Sequence, residues 1–198
     1  VRKWLSNERL IVKEQEDPRA VAHILIKYTQ GHQGHMFAVV VTKNRDLVAI
    51  SSMTRVDMGQ QKEMKKHMDE DSEGWAEWIH EGRLQLIRAS VDWGIHMGHE
   101  GEQKPGPLQA FNVSLPLWFD GLNKNEFMHC LRRLWLAKLG LIHEIKYSYG
   151  PGIGKPGPVD DWAKGGQNPA SNSTPSTKQV ETDETGGFGT GFDPSEWV

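Results

Sequence analysis

Two histidine pairs are the residues whose type and spacing could do chemistry. His32 and His35 (GHQGH) and His96 and His99 (HMGH) are each spaced i, i+3. Together they could offer four imidazoles to a zinc or copper ion, since neutral imidazole is a common ligand for both. Both pairs are flanked by glycine and read as loops between strands, where polar residues are expected on other grounds. Glu100 and Glu102 are the only carboxylates beside either pair. A metal-dependent enzyme or metal-binding protein that uses zinc at these four histidines is therefore one reading of the chain.

No other constellation has the form of a catalytic site, so no residue is assigned as catalytic. The chain has no Gly-x-Ser-x-Gly elbow and no His-Glu-x-x-His helix. The run from Gly150 to Gly157 (GPGIGKPG) resembles a phosphate loop only on the surface. It lacks the Gly-Lys-Ser/Thr ending and contains prolines, and it reads as a linker. The single cysteine, Cys130, falls within an apolar helical pattern and reads as a buried, inert thiol. One cysteine forms no internal disulfide, which suits a reducing, cytoplasmic setting. The run Asp69-Glu-Asp-Ser72 reads as a solvated helix cap rather than a cation site.

Composition changes sharply at Gly150. Residues 1–150 have regular apolar patterning and length enough for one domain with a core. Residues 151–198 hold nine glycines and six prolines and read as a flexible, Gly/Pro-rich acidic arm. The arm carries three lysines against seven carboxylates, net −4, which leaves +1 on residues 1–150 from a whole-chain charge of −3. A near-neutral body with an acidic arm lacks the basic face that nucleic-acid capture needs. No apolar run is long enough to span a membrane. The chain starts at Val1 rather than Met, so the presence of a segment upstream is left open.

The arm ends in Phe188, Phe192 and Trp197, with Asp193 and Glu196 between them. Spacer-like segments are poor in aromatics, so three at one terminus suggest a short linear motif. Rigid rings fill pockets on a partner, and the two acids meet a basic rim. These five residues are the candidate partner-binding set.

The elements that would position these groups follow from periodicity. Residues 2–7 suggest a short helix; Leu10–Glu16, Ala22–Tyr28, Met36–Thr42 and Leu47–Met53 suggest strands. The turn at Asn44-Arg-Asp46 makes the last two an antiparallel hairpin. Met58 to Met68 suits a helix. Trp75, Trp78, Ile79 and Leu86 form the stripe of a second helix, which Gly82 weakens or breaks. Val91–Met97 and Ala110–Leu117 read as strands separated by a loop over His99–Pro107. Asn123 with Glu126 resembles a capping box for a last helix. Phe127, Leu131, Leu134, Trp135 and Ile142 share one face of that helix, while Arg132, Arg133 and Lys138 are expected to solvate it. The five tryptophans of the body's interior elements, Trp75, Trp78, Trp93, Trp118 and Trp135, fit core or half-buried positions.

The resulting fold class is α+β: an antiparallel sheet with helices packed on one face, followed by a flexible C-terminal arm. That order, with Trp4-Leu5 before the first strand and Val113-Ser-Leu-Pro-Leu-Trp-Phe-Asp120-Gly-Leu-Asn123 leading into Glu126-Phe127, resembles the type III secretion chaperone-like fold. The resemblance is to its YbjN-like and uncharacterised archaeal branches and covers roughly residues 2–148. It implies a small, often dimeric α/β sandwich that binds polypeptide in surface grooves. The leading expectation is a non-enzymatic, cytoplasmic adaptor or chaperone-like protein whose tip engages a protein partner, with a homodimer expected. The alternatives are the histidine-based metal protein and a structural subunit of a larger assembly.

Overall fold

A strand of Val, Ile and Phe followed by a three- or four-residue turn has one economical partner, the strand just after it. The computed structural model, which describes residues 1–31, 34–100 and 104–160, follows that rule through the first half of the chain. Helix α1 (Arg2–Asn7) precedes β1 (Ile11–Gln15), β2 (Ala20–Tyr28), β3 (His35–Thr42) and β4 (Leu47–Arg55). Helices α2 (Met58–Glu70) and α3 (Ser72–Arg88) follow, then β5 (Asp92–Glu100), β6 (Lys104–Trp118), a 3-10 turn (Phe119–Gly121) and α4 (Lys124–Tyr149). The six strands form one antiparallel sheet in the order β1-β2-β3-β4-β6-β5. The class is therefore α+β, in the element order that the periodicity suggests.

Two junctions show how local sequence sets the elements. Asp71 Oδ1 accepts from the Gly74 N–H at 3.0 Å and so caps α3, as the acidic turn suggests. Asn123 Oδ1 accepts from the Glu126 N–H at 3.0 Å and fixes the start of α4. Helix α3 runs unbroken through Gly82, so of the two expected effects the glycine does not break the helix. A glycine costs a helix interior only about 1 kcal/mol, and the buried Ile79 and Leu86 on either side of it hold the helix in place.

The chain divides into two compact units, the first comprising Val1–Ser52, Trp78–Gly94 and Asn112–Ile145. Its core is built on the sheet face carrying Ile24, Ile26, Phe37, Val39, Val48 and Ile50, all buried. The registers Ile26↔Phe37 and Val39↔Ile50 place these side chains on one side. Helix α4 supplies Phe127, Leu131, Leu134 and Ile142, all buried. Trp135 meets Tyr28 edge-on, with ring centroids 6.2 Å apart.

Lys138 departs from the expectation that it solvates α4: it is fully buried. Its Nζ donates to Ser52 Oγ at 2.9 Å, and Ser52 Oγ donates onward to the Met36 carbonyl at 2.6 Å. The ammonium also stands 5.7 Å from the Phe37 ring centre. Lys138 follows Leu134 by four residues and Leu131 by seven, so helical period places it on the apolar face, and its polar tip is met there by a hydroxyl.

Strand β6 differs from simple alternation as well, because Asn112 and Ser114 are buried along with Phe111 and Val113. Gly94 leaves the room: a Cβ there would stand 2.5 Å from Asn112 Oδ1. Trp118, at the end of β6, is 48% exposed and so takes the half-buried rather than the core alternative expected for it.

The second unit comprises Met53–Glu77, Ile95–Phe111 and the described residues from Lys146 onward. Its strand segments run longer than expected, since β5 reaches Glu100 and β6 starts at Lys104. The glycines that suggest a loop serve close packing instead, as a Cβ on Gly106 would meet the Gly98 backbone at 2.8 Å. His99 accordingly lies within β5, in the same strand as His96, rather than in the loop.

Candidate functional site

In the second unit, polar side chains converge on the main chain of residues 150–160. The centre is Asp57, 4% exposed, at the N-cap of α2. One carboxylate oxygen, Oδ1, accepts from the Gly59 N–H at 2.7 Å and from the Ile153 N–H at 2.9 Å. Oδ2 accepts from the Lys155 N–H at 2.8 Å. The first of these bonds is an ordinary helix cap; the other two tie a distant segment to the same carboxylate.

Around Asp57 the rest of the segment is read group by group. Gln60 Nε2 donates to the Gly150 carbonyl at 2.7 Å. Arg55 donates to the Gly157 carbonyl from Nε at 3.1 Å and also from Nη2. Gln61 Nε2 donates to the carbonyls of Val56 and Pro158 at 3.2 Å each. Gln109 closes the far end, its Oε1 accepting from the Asp160 N–H at 2.8 Å and its Nε2 donating to Asp160 Oδ2 at 3.1 Å. A short antiparallel bridge, Asp57↔Pro156, adds Met58 N–H to Lys155 O at 2.8 Å and Gly157 N–H to Val56 O at 2.9 Å. The segment read as the start of a linker is therefore held down along its length as far as Asp160.

Most of these bonds go to backbone atoms, so the clamp selects backbone shape more than side chains. Gly152 has φ +81° and Gly154 φ +73°, and a Cβ on Gly152 would stand 2.6 Å from the Asp57 carboxyl carbon. A Cβ on Gly157 would run into the Gln61 amide. Val159 is buried, whereas Ile153 is 61% exposed. Burial alone would push the Asp57 carboxyl up. The backbone N–H groups of Ile153, Lys155, Gly59 and Gln60 outweigh it and hold the pKa below its ordinary 3.8. A carboxylate whose oxygens are taken up in this way holds a structure together and is not placed to move protons.

The end of α4 is fastened in the same unit. Tyr149 Oη lies 2.9 Å from His67 Nδ1, and the Trp75 ring meets both, with centroids 6.1 Å from His67 and 6.4 Å from Tyr149. Gly150, at φ +78°, then turns the chain out of the helix toward the clamp.

The residues singled out by sequence fall as follows. Phe188, Phe192, Asp193, Glu196 and Trp197 lie outside the described residues, as does His32. His35 opens β3, and His96 lies in β5; those strands are not neighbours in the sheet order. His99 is in β5, its side chain outside the described set. Among the described residues no group of three or more His, Cys, Asp or Glu side chains could hold a metal ion. Cys130 is buried, and burial pushes its thiol up, as an inert cysteine requires. The clamp residues Arg55, Asp57, Gln60, Gln61 and Gln109 are not suggested by sequence. The one available signal is Asp57 directly before a helical pattern, which marks a cap but not its second role.

Fold and site together define a small α+β protein that holds its own extended Gly/Pro-rich segment through main-chain hydrogen bonds. Residues 1–145 match the family described as "Uncharacterized conserved protein (DUF2299)", and the chain belongs to that family. A crystal structure of an uncharacterized protein from Methanothermobacter thermautotrophicus superposes with a TM-score of 0.64 at 23% identity, covering 75% of this chain and 96% of that one. At that identity the likeness shows the fold. No curated protein matches the chain. Among the described residues no helix is long and apolar enough to cross a membrane.

Proposed function

We propose that this protein is a non-enzymatic, protein-binding adaptor or chaperone-like subunit. In this reading the acidic aromatic tip, Phe188, Phe192, Asp193, Glu196 and Trp197, docks on a protein partner. The observation that supports it is the clamp on residues 150–160, which fixes Asp160 by both backbone and side chain. A tether anchored at Asp160 has 38 residues beyond it in the sequence to carry a motif to a partner. Anchoring shortens the free tether and raises the effective concentration of the tip near the body. The likeness to type III secretion chaperone-like proteins, a cytoplasmic setting and self-association as a homodimer belong to the same proposal.

The test uses the full chain with Phe188, Phe192 and Trp197 all replaced by Ala, beside wild type, as baits in an extract of the native host. The expected result is a stoichiometric partner that the triple variant loses and that a peptide of residues 186–198 competes away. The melting temperature should be the same in both proteins. A partner retained by the triple variant refutes the motif. A large fall in melting temperature would instead mean that the tip serves the fold.

A further inference from the structure

The first unit carries a surface cleft unrelated to the clamp. It is open, about 450 Å³ in volume, and lined by Arg45, Asp46, Trp118, Phe119 and Asp120. Two chain segments build it, the β3–β4 turn and the end of β6. They are joined by the Phe119 N–H donating to the Asp46 carbonyl at 2.8 Å. The turn is held further by Thr42 Oγ1, which donates to the Arg45 carbonyl at 2.8 Å. On the other side Asp120 Oδ1 accepts from the Gly121 N–H at 2.9 Å. The walls are therefore set by backbone geometry before any ligand arrives.

The chemistry of the walls is specific. Trp118 and Phe119 are consecutive, large and apolar, yet 48% and 43% exposed. The Arg45 guanidinium carbon lies 5.1 Å from the Trp118 ring centre, so the indole face already holds a planar cation. Asp46 and Asp120 line the same cleft as the rings, which gives it one more negative than positive charge. An aromatic face beside carboxylates attracts a guanidinium through the ring quadrupole and through Coulomb terms, and it repels an acid. The chain's own tip, bearing Asp193 and Glu196, has the wrong sign for this cleft.

We propose that the cleft is a recognition site for an arginine side chain of a basic peptide segment, with Arg45 acting as an internal competitor on the Trp118 face. Displacing Arg45 frees one indole face and lets the incoming guanidinium stack between ring and carboxylate. This site is separate from the C-terminal tip, and the two fail or succeed independently.

The test titrates the full chain with a tetra-arginine peptide and follows the Trp118 indole N–H signal by NMR, assigned through its loss in Trp118→Phe. The expected result is a saturable shift at Trp118, Phe119 and Asp46, weakened by salt and absent with tetra-glutamate. Arg45→Ala should tighten tetra-arginine binding roughly two- to fivefold, the worth of one exposed cation–π contact. The double variant Asp46→Asn with Asp120→Asn should weaken it, while the amide introduced by the second change keeps an oxygen for the Gly121 N–H. The proposal is overturned if Arg45→Ala weakens binding, if tetra-glutamate binds the same site, or if no saturable shift is seen. All five lining residues are at the surface or beside it, so the variants are expected to fold.

Discussion

Replacing Asp57 should release residues 150–160 while leaving the first unit intact. In Asp57→Ala the N–H groups of Gly59, Ile153 and Lys155 lose their acceptor. Hydrogen bonds to a charged group contribute about 1.5–3 kcal/mol each, and a lost N-cap costs about 1 kcal/mol. The full sum is not reached, because an undocked segment can turn its N–H groups to water. We expect about 3–5 kcal/mol for Asp57→Ala on these magnitudes. Asp57→Asn keeps one oxygen, which serves Gly59 and Ile153, but presents an amide N–H to the Lys155 N–H. That is one charge-assisted bond lost and two donors opposed, about 2 kcal/mol. Hydrogen exchange reads the effect where it occurs: about 2 kcal/mol is roughly a thirtyfold faster exchange at Ile153 and Lys155. Because the folded carboxyl titrates below its ordinary 3.8, its contribution is complete above that value. It is lost as pH falls through the lower folded pKa, and Asp57→Asn should remove that acid-side loss. Equal protection of Ile153 and Lys155 in wild type and Asp57→Asn would refute the clamp.

Two further outcomes concern the first unit. Gly82→Ala should raise stability by about 1 kcal/mol, because the added methyl meets Leu141 at an ordinary 3.6 Å and a helix interior prefers Ala over Gly; urea unfolding checks it, and a lower midpoint contradicts the packing. Burial lowers the pKa of His23 from its ordinary 6.5, against the Coulomb pull and hydrogen bond of Asp17 and with a smaller push from Arg19. The native state therefore disfavours the imidazolium, so stability should be full above pH 6.5 and fall as pH drops below it toward the folded pKa. His23→Gln should flatten that slope between about pH 7.5 and 5, and an unchanged slope would assign it to another group.

Much of the fold was legible because period and turn chemistry agree along most of the chain. The hairpin of β3 and β4 follows from an apolar β-branched run meeting Asn44-Arg-Asp46, and α4 follows from its apolar stripe and the Asn123 cap. The misreadings share one cause: in each, residue type outweighs position. Lys138 reads as solvent-facing by its charge and as core by its spacing, and spacing prevails because Ser52 meets the ammonium. Gly98 and Gly106 read as loop, yet they permit two backbones to approach within a strand pair. Gly152, Gly154 and Gly157 read as linker, yet two carry positive φ and one leaves room for Gln61. The clamp itself was hidden because its five side chains are spread from residue 55 to residue 109 and act on a segment beyond residue 149. No local window contains both halves.

The clamp also bears on where the proposed tether would begin. Asp57, Gln60, Gln61 and Gln109 are each at most 6% exposed, and buried polar groups are costly unless they are matched. Their partners lie on residues 150–160, which carry the carbonyls and N–H groups that these side chains require. A chain ended at Gly150 would keep the carbonyl that Gln60 uses but strip the other partners, leaving a buried carboxylate and the amides of Gln61 and Gln109 to find water. Its loss of stability would then be mistaken for an effect of the terminal motif. The composition break at Gly150 marks the end of α4, where a helix must stop and turn. The docking reaches Asp160, so in the proposed reading the sequence distance to Phe188, Phe192 and Trp197 is counted from Asp160 rather than from the glycine where the composition changes.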